Sequence, residues 1–168
     1  FSLYMQAYLH VNLEEFEEGV AFADQAAALA PDPFDRLCAL GIKGIALTLM
    51  NRAEAGLDLL SQVRAEIKSG SFLMLYLFFD VPYGAALVLT GRMSEGVQFI
   101  EAAIERFTQW GNETQPAFSH PAPADIYTQI ALGERKPPWR VLLRNLGFVL
   151  RVVPVARRRA YTHLRQAV

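Results

Sequence analysis

The sequence predicts an all-α fold: a solenoid of about four helical hairpins followed by a terminal helix. Three observations support this prediction. A pattern of small and apolar residues recurs at intervals of 37 and then 40 residues, which is typical of stacked helical repeats. No stretch combines the alternation of a strand with the turn residues of a β-hairpin. The chain of 168 residues, 52% hydrophobic and 20% charged, is long and apolar enough to bury a core.

The repeat is anchored on three glycines, Gly19, Gly56 and Gly96. A small residue lies twelve positions before each glycine, and apolar residues lie four and seven positions after it. In chain order these residues are Ala7, Ala23 and Ala26, then Gly44, Leu60 and Val63, then Gly84, Ile100 and Ala103. Small residues let two helix backbones approach closely, and positions spaced by four and seven share one helical face. Each repeat is therefore predicted to be a helical hairpin that packs against the next hairpin.

The helix boundaries follow from this register. First helices are predicted near residues 2–11, 34–50 and 72–90, and second helices near 14–29, 52–68 and 93–110. Asn51 and Gly91 fall at the turns between the two helices, where a left-handed backbone conformation costs these residue types little. Pro31 and Pro33 are expected to end the second helix of the first hairpin, because proline is common just beyond a helix.

A fourth hairpin and a terminal helix are predicted in the rest of the chain. The hairpin has helices near 117–132 and 138–151, and the last helix, near 155–168, carries a stripe of Ala156, Ala160, Leu164 and Ala167. We expect one helical-repeat domain over residues 1–168, with hairpins near 1–31, 33–69, 71–111 and 116–151 and the terminal helix near 154–168. Because the chain opens on Phe1 and ends within a helical run, we also expect it to be a fragment of a longer protein.

Two family resemblances follow from these patterns. The small-residue, turn and closing-proline pattern resembles tetratricopeptide repeats, which are interaction scaffolds. The segments Ala124–Pro138 (ADIYTQIALGERKPP), Leu143–Leu150 (LRNLGFVL) and Ala160–Leu164 (AYTHL), with Pro154, resemble a more specific group. This is the C-terminal tetratricopeptide-like helical-repeat region of bacterial multidomain class III adenylate/guanylate cyclase–ATPase proteins. The resemblance implies a tetratricopeptide-like α-α superhelix that senses or couples, in a cytoplasmic signalling protein whose catalytic motifs lie outside this chain.

Charge is distributed unevenly along the chain, although the formal net charge is −1. Residues 1–133 hold sixteen acidic and seven basic residues, whereas residues 134–168 hold nine basic residues and one acid. Arg157, Arg158 and Arg159 form a candidate basic docking surface. We expect it to dock against the acidic repeats of the same stack, of a second copy or of a neighbouring domain. Nucleic-acid binding is the alternative, and it is disfavoured because no aromatic stacking pattern interleaves the arginines.

The first helices of a hairpin stack line its concave face. By the repeat register, the candidate partner-binding residues on this face are Tyr4, Tyr8, Ile45, Thr48, Phe78, Val81, Ala85 and Val88. They are mainly aromatic and aliphatic, which suits an apolar peptide or a partner helix. The alternative is that closure of the superhelix, or other domains of the parent protein, bury the same residues.

The residue patterns of catalytic, cofactor and metal sites are missing from the sequence. No Gly-rich phosphate loop precedes a Lys-Ser/Thr pair, and the three histidines form no His-x-x-x-His or Glu-x-x-His pair. We therefore predict no catalytic, cofactor-binding or metal-binding residue, no cofactor and no enzyme activity in this chain. The resemblance implies that the longer parent protein is an adenylate/guanylate cyclase. Cys38, the single cysteine, is predicted to be a small core residue.

The apolar stretch from Phe72 to Thr90 has the length of a membrane span. Asp80, Pro82 and Gly84 lie at its centre and no basic cluster flanks it, so we expect a buried helix and no membrane partner. Asp80 is predicted to pair with a Lys, Arg or Tyr of a neighbouring hairpin. The alternative is a functional carboxylate beside a proline kink that exposes backbone carbonyls.

These observations predict a non-catalytic helical-repeat scaffold for protein–protein interaction or sensing, coupled to a nucleotide cyclase/ATPase module in the parent protein. The expected partner is a protein or peptide, or another domain of the parent chain, and self-association between copies is left open. The alternatives are the sensor region of a tetratricopeptide-containing transcription regulator and a basic C-terminal segment that binds nucleic acid.

Overall fold

The structure is a computed structural model that describes residues 2–70, 73–109, 127–128 and 139–166. Within these residues every regular element is a helix and no strand occurs, which confirms the all-α prediction. In chain order the α-helices are α1 (Leu3–Asn12), α2 (Phe16–Leu29), α3 (Pro33–Leu49), α4 (Ala53–Gly70), α5 (Leu73–Leu89), α6 (Met93–Gln109), α7 (Trp139–Arg144), α8 (Leu146–Val152) and α9 (Ala156–Gln166). A short 3₁₀ helix, Val153–Val155, joins α8 to α9.

The chain forms two compact units, Phe1–Ala86 and Leu87–Val168. In the first unit, α1, α2 and α3 bury one apolar cluster, and α3, α4 and α5 bury a second. In the described part of the second unit, α6, α8 and α9 bury an apolar cluster together with Tyr127. The prediction of a single domain over residues 1–168 stays a prediction.

The repeat register describes the packing inside the hairpins. All twelve positions that define it, including the three glycines, are buried. A Cβ atom added at Gly19 would lie 2.8 Å from the Val11 side chain, and one at Gly56 would lie 2.7 Å from the Gly44 carbonyl oxygen. Real Cβ atoms do not approach their neighbours this closely, so the first two hairpins need glycine where their helices meet.

The turns inside the first three hairpins share one backbone conformation. Glu14, Asn51 and Gly91 have φ angles of +63°, +66° and +83°. In each turn the next residue donates its backbone N–H to the carbonyl oxygen five positions earlier, at 2.8–2.9 Å. This is the pattern of a Schellman motif, which ends a helix on a left-handed residue. The predictions for Asn51 and Gly91 are confirmed, and Glu14 occupies the equivalent position in the first hairpin.

The start of α3 differs from the prediction for the prolines. α2 ends at Leu29, so Pro31 does lie just beyond it. Pro33 instead opens α3 as one of its first residues, and the Asp32 side chain caps this helix by accepting the backbone N–H of Asp35 at 2.9 Å. Proline suits this position because the first N–H groups of a helix have no partner within the helix.

The prediction of one continuous helix near 138–151 is wrong, because this segment is divided at Asn145 into α7 and α8. The terminal helix predicted near 155–168 is present as α9. The helix predicted near 117–132 lies outside the described residues, except for Tyr127 and Thr128, which are helical.

Candidate functional site

Part of the predicted partner-binding face comes together in the first unit, on α1, α3 and α5. The rings of Tyr8 from α1 and Phe78 from α5 lie 5.9 Å apart between centroids, with their planes tilted by 58°. Tyr4 and Ile45 pack against both apolar clusters of this unit. All four side chains remain half-buried. Three first helices therefore contribute to one aromatic and aliphatic surface, the Tyr8–Phe78 face, that keeps part of its area in solvent.

The other predicted face residues have different surroundings. Thr48 is 5% exposed, and its hydroxyl donates to the Gly44 carbonyl oxygen at 2.8 Å, so it lies in the interface between α3 and α4 rather than on an open surface. Val81 and Ala85 are half-buried on α5. Val88 packs against the buried cluster of the second unit.

A small cavity adjoins Tyr4 in the first unit. Its volume is about 200 Å³, below the roughly 300–1,000 Å³ typical of small-molecule sites. Its lining comprises Ser2, Leu3, Tyr4, Ala26, Leu29, Ala30, Pro31 and Asp35. Burial raises the pKa of the Tyr4 hydroxyl, and the charge of Asp35 adds to this shift. The cavity therefore places a hydroxyl and a carboxylate together in a largely apolar lining.

Asp80 pairs with a cation of a neighbouring helix, as predicted. Arg64 from α4 donates its Nε–H to Asp80 Oδ1 at 2.8 Å. The Asp80 side chain has no exposed area and that of Arg64 is 12% exposed. The Arg64 guanidinium also lies over the ring of Tyr83, 4.4 Å from its centroid, and α5 continues through Pro82. A carboxylate with no exposed area is not placed to touch a ligand, so the pairing holds helices together.

The three candidate arginines on α9 have different surroundings. Arg157 and Arg158 are exposed. Arg159 donates from Nη1 to the hydroxyl of Tyr127 at 2.8 Å and forms an ion pair with Glu101 at 3.4 Å. Its guanidinium lies 5.5 Å from the centroid of the Tyr127 ring. Arg159 thus contacts an acid of α6 within its own unit, while its side chain stays 46% exposed.

Tyr127 is the centre of this polar cluster. It is fully buried, and its hydroxyl donates to Glu101 Oε1 at 2.5 Å. The ring of His163 stacks on it, 5.8 Å away between centroids. The pKa of Tyr127 is raised to about 12, chiefly by burial and also by Glu101, while Arg159 acts in the opposite direction. Tyr127 is therefore a neutral hydrogen-bond donor at physiological pH and joins α6 to α9.

Asn145 is a structurally important residue that the sequence analysis missed. It is 6% exposed, and its Nδ2 donates to the carbonyl oxygens of Gly91, at 2.7 Å, and of Val141, at 2.8 Å. Its side chain thereby ties the α7–α8 junction to the turn before α6. The sequence signal is a single amide inside the apolar run LRNLGFVL, because a polar side chain buried in such a run must find partners.

The remaining chemistry of the described residues is limited. Cys38 is 5% exposed and belongs to a buried apolar cluster, which confirms its predicted core position. The pKa of its thiol is raised to about 12, chiefly by burial and to a smaller extent by the charges of Asp35 and Asp32. Within the described ranges, no group of three or more His, Cys, Asp and Glu residues is placed to hold a metal ion. In the same ranges, no helix has the length and apolar character needed to cross a membrane.

Comparisons of the chain with protein-family models, with curated proteins and with solved structures give no match. The resemblance to the helical-repeat region of cyclase–ATPase proteins therefore stays a prediction from the sequence.

Proposed function

We propose that this chain is a non-catalytic, tetratricopeptide-like module that binds an apolar peptide or a partner helix on the Tyr8–Phe78 face. The observation behind the proposal is the contact between these two rings, which joins α1 to α5 on a half-buried surface. Tyr4 and Ile45 extend this surface. Half-buried aromatic side chains held by a rigid core lose little conformational freedom on binding, which favours recognition of a partner.

The finer architecture that we propose is a tetratricopeptide-like α-α superhelix. It is supported by two features that recur at the repeat interval: the left-handed turn residue and the buried small residues. Identical turns and small-residue contacts give successive hairpins the same internal geometry, which is how a superhelix arises.

We further propose that the module couples partner binding to a nucleotide cyclase/ATPase module of a cytoplasmic bacterial protein. This step depends on the sequence resemblance described above. Sequencing the coding region next to the segment that encodes this chain tests this step. We expect cyclase and ATPase motifs there, whereas a helix-turn-helix domain would favour the transcription-regulator alternative. The chain alone, incubated with ATP or GTP and Mg²⁺ or Mn²⁺, is expected to form no cyclic nucleotide.

The binding face is tested with a displayed library of amphipathic helical peptides of about 15 residues, a length that gives three to four anchors on one face. Peptides selected on the wild-type chain are expected to bind Tyr8→Ala and Phe78→Ala variants at least about tenfold more weakly, a loss of about 1.4 kcal/mol each. Leu49→Ala is the matched control, because Leu49 is 54% exposed and is not part of this face.

Two outcomes would contradict the proposal. Selected peptides that bind all three variants equally would place the binding surface elsewhere. Salt-sensitive binding of single-stranded DNA or RNA that is lost in Arg157→Ala/Arg158→Ala would instead favour the nucleic-acid alternative.

A further inference from the structure

Two exposed apolar surfaces on the described helices are not explained by the proposed function. The first, the acidic α1 face, consists of Met5, Leu9 and Leu13, which are 40%, 51% and 58% exposed. Met5 and Leu9 are four residues apart and share one side of α1, and Leu13 follows four residues later, directly after the end of the helix. The acidic charge comes from the exposed glutamates that follow, Glu14 and Glu15 in the α1–α2 turn and Glu17 and Glu18 in the first turn of α2, and Glu15 also pairs with His10 of α1 at 2.6 Å. Residues 2–31 contain five acidic residues and no Lys or Arg.

The second surface, the basic α7–α8 face, has the opposite charge. Its large apolar side chains are Trp139, Leu143, Leu146, Leu150 and Val153, with exposed fractions of 65%, 60%, 47%, 66% and 49%. Trp139 and Leu143 are four residues apart on α7, and Leu146 and Leu150 are four residues apart on α8, so each pair shares one side of its helix, with Val153 following in the 3₁₀ helix. Residues 139–166 contain seven arginines and no acid, and Arg140, Arg144 and Arg151 of these two helices are exposed.

We propose that copies of this chain associate head to tail, with the acidic α1 face of one copy bound to the basic α7–α8 face of the next. Each face joins exposed leucines to charges of one sign, and the two signs are opposite. A single contact therefore covers both apolar surfaces and brings unlike charges together. Contiguous exposed apolar patches on a protein generally mark interaction sites, and the paired charges fix the orientation of the two copies.

A second copy accounts for more of the surface than other occupants do. An anionic lipid bilayer suits the basic α7–α8 face, because apolar side chains flanked by arginine are typical of interfacial helices. However, a bilayer of this charge repels the glutamates of the acidic α1 face and leaves that face uncovered. Binding between copies uses two different faces, so the interface is heterologous and each added copy exposes a new face.

The proposal is tested by sedimentation velocity and light scattering on the full 168-residue chain. The wild-type average mass is expected to rise with concentration at low salt. The association is expected to weaken at least about tenfold in about 1 M NaCl, where the Debye length falls to about 3 Å. Leu9→Gln/Leu13→Gln and Leu143→Gln/Leu150→Gln each remove one face without adding charge and keep good helix formers. Each variant alone is expected to be monomeric.

An equimolar mixture of the two variants distinguishes a head-to-tail contact from a symmetric one. One variant keeps an intact basic face and the other an intact acidic face, so the mixture is expected to form a dimer of twice the monomer mass and no larger species. Leu49→Gln, which changes a leucine that is 54% exposed on neither face, is expected to associate like the wild type. Circular dichroism of every variant checks that the helices are retained.

Three results would overturn the proposal. The first is a wild-type chain that stays monomeric at all concentrations. The second is a variant that still forms dimers by itself, since this indicates a symmetric interface. The third is a monomeric wild type that sediments with phosphatidylserine vesicles through Leu143 and Leu150, since this makes a lipid surface the partner.

Discussion

Each of the two compact units of this chain is stabilised internally by a different kind of contact. In the first unit, helices meet through small, aliphatic and aromatic side chains in two apolar clusters, and the buried Asp80 pairs with Arg64 of the neighbouring helix. In the second unit, two hydrogen bonds of buried side chains reach far along the chain. Asn145 binds the carbonyl of Gly91, 54 positions away, and Tyr127 binds Glu101, 26 positions away.

This difference separates packing that a repeat specifies from packing that single side chains specify. Each hairpin of the first unit repeats the same small-residue contact, so its geometry depends on many weak and similar interactions. The second unit depends on a few hydrogen bonds to buried groups, and loss of one leaves its partner without compensation. We therefore expect single polar substitutions to matter more in the second unit, with the Arg64–Asp80 pair as the exception in the first.

The largest expected effect is at this exception. Asp80→Ala leaves the guanidinium of Arg64 without its buried counter-charge, and removal of one partner of a buried pair costs about 3–5 kcal/mol. The free energy of unfolding, measured in urea by circular dichroism, checks this value. The thiol of Cys38 reports on the same unit, because it is buried and protonated in the folded state and reacts with a disulfide reagent after opening.

Two variants control this experiment. Asp58→Ala removes an exposed carboxylate from α4 and is expected to change the unfolding free energy by less than about 0.5 kcal/mol. Arg64→Leu/Asp80→Leu replaces both charges and is expected to recover most of the loss. A loss below about 1 kcal/mol in Asp80→Ala would show that the pair is not buried in solution.

The next largest effect is expected in the second unit, at Asn145. Asn145→Ala removes both side-chain hydrogen bonds and leaves the buried Gly91 carbonyl without this donor, at a cost of about 1–3 kcal/mol. Hydrogen exchange is expected to accelerate in α6, α8 and α9 and to stay unchanged in α1–α4. Arg144→Ala, at the exposed neighbour, is the control. Equal acceleration in α1–α4 would contradict the separation of the two kinds of packing.

The sequence predicted the parts of the fold that depend on the repeat. The twelve repeat positions and the turns at Asn51 and Gly91 could be identified because helical periodicity is a local property of the chain. The break at Asn145 was not predicted, since LRNLGFVL on its own reads as continuous helix. At this break the Asn145 side chain bonds a carbonyl 54 positions away, and the amide in this run does not by itself identify that partner.

The candidate site was predictable to a smaller extent. The repeat register placed Tyr8 and Phe78 on first helices, and their rings do meet. The same register placed Thr48 on this face, whereas its hydroxyl lies beside Gly56 between two helices. The position of a residue in the helical register indicates only roughly where its side chain points. Residues assigned to the same face can therefore differ in burial. Arg159 likewise followed the exposed pattern of Arg157 and Arg158, and its contact with Tyr127 depends on tertiary structure.

A smaller and pH-dependent effect is expected from Tyr127→Phe. The variant loses the hydrogen bonds of the hydroxyl to Glu101 and Arg159. Its free energy of unfolding at pH 8 is therefore expected to be about 1–2 kcal/mol lower than that of the wild type. The folded pKa of about 12 lies above the ordinary value of 10.0. The wild type therefore keeps this stabilisation below pH 10 and loses it as the pH rises towards 12. The difference between the two proteins should shrink over that interval.

Tyr161→Phe is the matched control for this measurement, because Tyr161 is 61% exposed. Its unfolding free energy is expected to follow the wild type at every pH. A Tyr127→Phe deficit that stays constant up to pH 12 would contradict the raised pKa, whereas no deficit at pH 8 would show that the hydroxyl contacts do not stabilise the fold.

The smallest effect is expected at the turn of the first hairpin, where Glu14 adopts a φ of +63°. A left-handed conformation costs a residue other than glycine about 1–2 kcal/mol, and glycine loses part of that gain through its greater freedom in the unfolded chain. Glu14→Gly is therefore expected to raise the unfolding free energy by about 0.5–1 kcal/mol. Asn51→Gly, at the equivalent turn, is expected to raise the unfolding free energy by less, because asparagine already tolerates this conformation.

The substitution of Gly91 has the opposite sign. Alanine at this position would have to adopt the left-handed φ of +83°, and its Cβ would lie 3.2 Å from the Val141 side chain, so Gly91→Ala is expected to destabilise the second unit. Urea unfolding of the three variants thus orders the turns by how well their residues suit one shared backbone conformation. If Glu14→Gly is less stable than the wild type, the glutamate side chain contributes more free energy than its left-handed backbone costs.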